Sequence, residues 1–360
     1  MFNKNDLKIK PIEKAETIPS NWYCDGNIFS LEKEAVFSSN WQYAGHIEEI
    51  KDRTNSFQID IAGNPVIIFK NDENELTAFY NVCRHRGGPL NLLNSGKKTV
   101  LQCGYHGWTY KLDGQLRGMP RFNRVELFDK SEHCLTPVKT ELWEGLVFVN
   151  LNNEAVPISN QISKIAEEIK PNNLEHKKHY KRVEYNIKCN WKIYVDNYLE
   201  GYHLPYVHPE LCDFLDYREY KTIVSEIYSL QYSPINNEKN FYKGEGGAYY
   251  YFIYPNLMLN ILPCRLQINQ IIPISERETL VKFDYFYDDI ETKDGLKSIK
   301  TDILMSDKIQ FEDIEICEKV QKGVCSNVYN KGRLSVECET GVHHFQNLLR
   351  KDYISYSNNS

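Results

Sequence analysis

Two short segments constrain this chain more than anything else in it: Cys83-Arg84-His85 and Cys103-Gly104-Tyr105-His106, with 17 residues between them. Each offers one thiolate and one imidazole, in the same order. A structural zinc site would pair its cysteines as CxxC or set both cysteines ahead of both histidines. Mixed pairs suit a [2Fe–2S] cluster with two thiolates on one iron and two imidazoles on the other. Neutral imidazole removes negative charge there and raises the reduction potential. The alternative is a zinc site, or four core residues that fell close together. The flanks argue for the cluster, because Gly87-Gly88-Pro89 follows the first segment and Gly104 and Gly107 punctuate the second. Such residues let two tight loops fold over a buried group.

At 360 residues the chain has room for about two domains. Its net charge of −6 carries no long basic run, which argues against nucleic acid or an anionic membrane as partner. Met1 to Lys14 is polar and lysine-rich, so no signal peptide is expected. No apolar run approaches the ~20 residues of a membrane span. Ten cysteines could suggest a disulfide scaffold. Beyond the two cluster positions, however, Cys24, Cys134, Cys189, Cys212, Cys264, Cys317, Cys325 and Cys338 are scattered without a CxxC pair. They are expected to be reduced, in a cytoplasmic protein.

From about Trp41 to Leu151 short strands alternate with turns: Phe57 to Ile61, Val66 to Phe69, Thr77 to Asn81 and Leu146 to Asn150, with turn signals at Gly63-Asn64-Pro65 and Asp113-Gly114. Ile158 to Ile169 has helical spacing, and Pro171-Asn172-Asn173 should break it. The expected division is an N-terminal segment (1–40) packing on a catalytic domain, a β-rich cluster domain (41–155), and the catalytic domain itself (156–360). That last part reads as a helix at about 190–204, a polar loop region at about 211–246, strands at about 248–288 and a closing helix at about 300–324. Tyr356 to Ser360 should fray. This order predicts an α+β protein, with an antiparallel sheet and helices packed on it.

A second metal site is legible in Asn190 to Leu211, NWKIYVDNYLEGYHLPYVHPEL. On one helix Asp196, Glu200 and His203 share a face. Pro205 should end that helix and let His208 turn back toward His203. Two histidines with one carboxylate suit a facial triad for Fe(II) that leaves positions open for O2 and substrate. The carboxylate must come from elsewhere. In the closing helix Met305, Ile309, Ile316, Val320 and Val324 form an apolar stripe ~100° wide. Asp313 falls inside it and Glu312 at its edge. A carboxylate in an apolar face needs a partner, so Asp313 is the favoured third ligand, with Glu312 the alternative.

At this point the chain resembles the α (oxygenase) subunits of Rieske non-haem iron oxygenases, from about Trp41 to Leu349. Cys83, His85, Cys103 and His106 match that family's cluster motif, and Asp196, Glu200, His203 and His208 match its (Asp/Glu)-x3-Asp-x2-His-x4-His motif. Glu200 stands where the family usually has Asp. The resemblance implies a β-rich Rieske domain beside a mononuclear iron domain, with His203, His208 and Asp313 on the iron. It implies a homotrimer in which Glu200, with Asp196 nearby, carries electrons from one subunit's cluster to its neighbour's iron. Tyr254-Pro255-Asn256, Phe283-Asp284-Tyr285-Phe286, Gln310-Phe311-Glu312-Asp313, Cys317-Glu318-Lys319-Val320-Gln321 and His343-His344-Phe345 are most similar to the choline monooxygenase and quaternary-amine group.

A cationic substrate fits Tyr249-Tyr250-Tyr251-Phe252, where Tyr249 and Tyr251 on one strand face, with Tyr206, could hold a trimethylammonium group by cation–π attraction. The alternative is ordinary aromatic packing. No GxGxxG follows a strand, so electrons should come from a separate flavin or ferredoxin-type NAD(P)H reductase. The expected activity is hydroxylation, with O2, of a small quaternary ammonium compound next to nitrogen. The alternative substrate is an aromatic acid, oxidised on the ring. A pure electron carrier would leave the 200 residues after the cluster domain without a task.

Overall fold

The computed structural model describes residues 2–50, 55–94, 99–169, 174–210, 219–235 and 247–359. They fall into two compact units. One comprises residues 37–160; the other joins residues 1–36 to 161–360.

Among the described residues the inserted unit holds ten strands: β1 (Gln42–His46), β2 (Ser56–Ile61), β3 (Asn64–Lys70), β4 (Leu76–Tyr80), β5 (Leu90–Asn94), β6 (Thr99–Cys103), β7 (Thr109–Tyr110), β8 (Leu116–Gly118), β9 (Pro137–Trp143) and β10 (Leu146–Asn150). They pair in the orders β1-β10-β9-β4-β3-β2 and β5-β6-β7-β8. The turn at Gly63 and the one at Gly114 (φ +83°) join strands as the sequence predicts. One core, including Val66, Ile68, Ala78 and Val147, fills the larger sheet. A second core of Ile67, Phe69, Phe79, Leu101, Trp108 and Tyr110 encloses Cys83 and Cys103.

The larger unit carries one antiparallel sheet, ordered β11-β17-β16-β15-β14-β13-β12. Its strands are β11 (Lys178–Ile187), β12 (Lys221–Val224), β13 (Tyr228–Pro234), β14 (Gly247–Ile253), β15 (Leu257–Leu262), β16 (Arg265–Ser275) and β17 (Glu278–Tyr287). The helices are α1 (Asn21–Cys24), α2 (Gly26–Glu32), α3 (Ile158–Gln161, at the unit boundary), α4 (Ser163–Ile169), α5 (Trp191–Tyr198), α6 (Leu204–Val207), α7 (Lys293–Val324) and α8 (Thr340–Asn359). This is an α+β protein with an antiparallel sheet in each unit. Among the described residues no helix is long and apolar enough to cross a membrane.

Several expectations need correction. β12 and β13 occupy part of the predicted polar loop; Ser229, Gln231 and Ser233 are buried in β13, and such residues disguise a strand. The remainder of that loop, 211–218 and 236–246, and the predicted break at Pro171 lie outside the described residues. Ile158 to Ile169 forms two short helices, with Ile158, Ile162, Ile165 and Ile169 all buried. α7 starts at Lys293, where the Thr292 hydroxyl caps Gly295 N–H, and it is not the closing helix. α8 follows and continues to Asn359, through the segment expected to fray.

Cys24 and Cys325, expected to be reduced, are joined by a disulfide. No local spacing betrays a pair 301 residues apart. Tertiary packing brings them together, because the N-terminal segment belongs to the same unit as α7. Glu32 of α2 is fully buried there and accepts from Lys192 Nζ at 2.6 Å and Trp191 Nε1 at 2.8 Å. A charge taken so completely out of water requires such a partner.

Candidate metal centres and active-site cavity

Two loops of matching geometry carry the cysteines and histidines of the smaller unit. In each, a glycine four residues after the cysteine takes a left-handed φ, +71° at Gly87 and +72° at Gly107. Its N–H returns to the cysteine carbonyl, at 2.9 Å for Cys83 and 3.0 Å for Cys103. A residue with a side chain would pay strain in that conformation. Gly88 has a different task, because a Cβ there would stand 2.8 Å from Cys103 Sγ.

Both thiols are free and buried. Burial pushes the Cys83 thiol up, against the Tyr110 hydroxyl at 3.2 Å, which favours the thiolate. Cys103 Sγ accepts from Tyr105 N–H at 3.4 Å. The His85 and His106 rings lie 4.7 Å apart, and His85 stacks on Trp108 at 4.7 Å. His85 Nδ1 is buried and has no hydrogen-bond partner. A buried imidazole nitrogen without a partner, two thiols and a second imidazole on facing loops fit a [2Fe–2S] cluster.

The second centre differs from the single-helix expectation. α5 is started by Asn190, whose side chain accepts from Lys192 N–H, and it stops at Leu199. Asp196 is on the helix, while Glu200 and His203 lie in the turn beyond it. The break therefore spans Leu199 to His203, and Pro205 sits in the first turn of the next helix, α6, where a missing N–H costs nothing. Glu200 makes this turn itself. Its Oε2 accepts the N–H groups of Tyr202 and His203, and its Oε1 faces His203 Nδ1 at 2.7 Å.

His203, His208 and Asp313 converge, with one ligand atom of each within 4.8 Å of the others. Asp313 Oδ1 is 2.9 Å from His208 Nε2 and 3.8 Å from His203 Nε2. Atoms ~2.1 Å from a shared first-row metal stand about 3 Å apart at right angles and about 4 Å apart when opposed, so the triad fits one ion. Glu312 is turned to the far side of the ring, its Oε2 2.6 Å from His208 Nδ1. Burial lowers the His208 pKa, but hydrogen bonds and charge from Asp313 and Glu312 outweigh it and leave it raised. Asn197, not singled out in the sequence, donates to Asp313 Oδ1 at 2.7 Å.

Asp196 does not face these ligands. It accepts from Tyr23 Oη at 2.6 Å and from Gln346 Nε2 at 3.2 Å, and burial raises its pKa to about 7. Nor is the buried side of α7 the apolar stripe expected, since Val320 is 42% exposed. Ile299, Asp302, Ser306, Gln310, Cys317 and Gln321 are buried instead. Helical spacing is kept, but the face is mostly polar because part of it lines a cavity.

That cavity, about 140 Å³, opens beside the triad. Tyr194, Tyr198, Tyr220, Tyr250 and Phe283 line it, with Gln231, Asn260, Gln267 and Asn269 among the polar groups. Tyr249, Tyr251 and Tyr206 do not. Tyr251 is fully buried with its hydroxyl 2.5 Å from Glu168; Tyr249 packs on Tyr251 and Tyr232; Tyr206 is 81% exposed. β14 presents Tyr250 to the cavity and its other face to packing. Alternation along the strand was readable, but not which face looked inward.

Residues 40–129 match the family described as Rieske [2Fe-2S] domain, and residues 174–354 match ring hydroxylating alpha subunit (catalytic domain). Choline monooxygenase of Arabidopsis thaliana is 34% identical, with 96% of this chain and 84% of the relative covered. The carnitine monooxygenase oxygenase subunit of Escherichia coli K12 is 32% identical over 94% of each. Among solved structures, the quaternary ammonium Rieske monooxygenase CntA in complex with L-carnitine has a TM-score of 0.80 at 29% identity, covering 94% of this chain and 96% of that one. Naphthalene 1,2-dioxygenase, at 16% identity and a TM-score of 0.72, shares the fold.

Proposed function

The chain belongs to the Rieske oxygenases with a ring-hydroxylating α-subunit catalytic domain, oxidoreductases that carry a [2Fe–2S] cluster and a mononuclear iron, and on that premise we propose that it hydroxylates a small quaternary ammonium compound at a carbon next to nitrogen. As an oxygenase component it takes electrons from a separate electron-transfer partner and uses O2. Hydroxylation of one C–H bond consumes O2, two electrons and two protons and releases water.

Cys83, His85, Cys103 and His106 hold the cluster in this reading, and His203, His208 and Asp313 hold the iron. When bound, these groups supply stored electrons and O2 activation. The protein supplies orientation. Glu200 and Glu312 each hold the Nδ1 proton of one histidine, which turns the Nε2 lone pairs of His203 and His208 toward Asp313. Asn197 fixes the carboxylate oxygen that faces both rings. The single observation that carries the substrate reading is the aromatic lining beside the triad. Aromatic rings attract an alkylammonium by ~0.5–2 kcal/mol each without requiring a counter-ion. The similarity to enzymes named for choline and carnitine supports the same class.

The finer reading is a homotrimer in the cytoplasm, supplied by a flavin or ferredoxin-type NAD(P)H reductase. Glu200 accepts a hydrogen bond from the neighbouring subunit's cluster histidine and carries the electron across. The solved relative described in terms of inter-subunit electron transfer supports this arrangement. The test is O2 uptake with a reductase, comparing trimethylammonium compounds with aromatic acids. Uptake coupled to aldehyde release from the ammonium compounds is expected. Coupled uptake with aromatic acids alone would overturn the substrate class.

A further inference from the structure

Two glycines let neighbouring elements touch the backbone of the turn that carries Glu200 and His203. Leu199, where that turn begins, is fully buried. Gly341, in the first turn of α8, stands so close to it that a Cβ would lie 2.4 Å from the Leu199 carbonyl oxygen. Within the turn itself, a Cβ at Gly201 would lie 3.0 Å from Cε1 and Cζ of the Tyr220 ring. Neither glycine has a left-handed φ, so space, not backbone conformation, excludes a side chain at both. Gly341 also runs against helix propensity, since alanine is ordinarily the better helix residue.

Neither neighbour is free to retreat. Beyond Gly341, Phe345 is fully buried and meets Trp191 edge-on at 5.6 Å and Phe252 at 5.5 Å. Gln346 accepts from Ile18 N–H at 2.9 Å and donates to Asp196 Oδ1 at 3.2 Å. Tyr220 is tied as well: its hydroxyl donates to Gln231 Oε1 at 2.7 Å, and Gln231 Nε2 donates to the Tyr198 carbonyl at 2.6 Å. The turn is held by Glu200, through the N–H groups of Tyr202 and His203 and through His203 Nδ1. Close-packed interiors pass on added volume instead of absorbing it, so a side chain at either glycine displaces the turn and the His203 ring with it.

We infer that Gly341 and Gly201 are positioning residues for the iron centre: without side chains they let α8 and Tyr220 seat directly on the turn, and that seating fixes the aim of His203 Nε2. This rests on the triad reading above and adds what holds the triad from outside. Real Cβ atoms essentially never approach within 3.0 Å, so a Cβ at position 341 must push the Leu199 carbonyl oxygen from 2.4 Å out to at least that distance. Groups that orient a metal-bound histidine are typically worth about 10–100-fold in metal affinity, and moving the turn draws on that range.

The experiment is anaerobic equilibrium dialysis of the cluster-loaded protein against Fe(II), beside urea unfolding without added Fe(II), which gives the folded fraction. Gly341→Ala should weaken Fe(II) binding by the folded protein at least about tenfold. Gly201→Ala, with its gentler contact, should weaken it about fivefold. Combining it with Tyr220→Leu, which withdraws the ring, should return the Kd to within about twofold of Tyr220→Leu alone. Gly323→Ala in α7, where nothing lies within 4 Å of the added Cβ, is the control and should change nothing. A merely structural glycine would lower the urea midpoint and leave the Kd of the folded protein alone. A Kd within twofold of the original in folded Gly341→Ala therefore overturns the inference, whatever the midpoint does. If Gly341→Ala does not fold, Gly201→Ala decides: a Kd within twofold, or a weakening that Tyr220→Leu does not relieve, overturns it. Fe(II) retained in full by His203→Ala would instead discard the triad reading, and this inference with it.

Discussion

Replacing Glu312 by alanine separates a carboxylate that orients a histidine from one that holds the metal. Glu312 Oε2 lies 2.6 Å from His208 Nδ1, a length typical of a charge-assisted hydrogen bond. Such bonds contribute ~1.5–3 kcal/mol. The His208 side chain is 1% exposed but that of Glu312 is 31% exposed, so the low end applies, about 1.5 kcal/mol. That is roughly tenfold in the Kd for Fe(II), at the lower edge of the 10–100-fold typical of groups behind a ligand. Glu312→Gln keeps an acceptor in reach of Nδ1–H and should weaken binding by no more than about threefold on the same scale. Asp313→Ala removes the carboxylate assigned to the iron in the proposed reading and should abolish the site. The assay is anaerobic equilibrium dialysis against Fe(II), with the cluster's visible absorbance as an internal count of intact protein. A Kd within twofold of the original in Glu312→Ala would refute the orienting role. Loss as complete as in Asp313→Ala, without rescue by glutamine, would make Glu312 a ligand.

Three further outcomes are expected. Gly88→Ala should lower cluster content severely while the iron site persists, since its Cβ would meet Cys103 Sγ at 2.8 Å and Tyr105 Cβ at 2.9 Å; full cluster absorbance would contradict this. Asn197→Leu removes the donor to Asp313 Oδ1 and should loosen Fe(II) by roughly tenfold, read by the same dialysis. Burial raises Asp196 from 3.8 to about 7, so the native state binds its proton more tightly than the unfolded chain does. Stability should therefore fall by about 4 kcal/mol as pH rises from about 4 to about 7, and Asp196→Asn should flatten that slope in urea titrations; an unchanged slope would show that Asp196 is ionised throughout.

The cysteines and histidines of the two candidate centres were readable because metal-binding chemistry fixes residue type and spacing together. Cys83, His85, Cys103 and His106 sit in loops whose glycines are visible in the same text, so motif and backbone agree. His203 and His208 were readable for the same reason, although the helix expected around them is broken. Periodicity could not see Glu200 folding its carboxylate back on the N–H groups of Tyr202 and His203, because that bond replaces a helical turn with a local cap. α7 misled in the other direction. Its buried face holds Asp302, Ser306 and Gln310, and hydropathy assigns such residues to solvent. A polar cavity wall inverts the rule that reads burial from apolar spacing. The partnership of Asn197 with Asp313, 116 residues away, has no local signature at all.

The Cys24–Cys325 bond changes the covalent topology of the molecule. It turns most of the backbone into a closed ring, with residues 1–23 and 326–360 outside it. Both outside segments belong to the larger unit, whereas the cluster-bearing residues 37–160 are wholly an arc of the ring. A protease cut anywhere in that arc would open the circle without freeing a fragment, and both outside segments would stay tied to each other through the sulfurs. On a gel the cleaved chain would keep its mass until reductant is added. In chain-entropy terms a ring this long restricts the unfolded state by about 5–6 kcal/mol, so thiol reagents should act on the molecule as a whole rather than on the two sulfur positions alone.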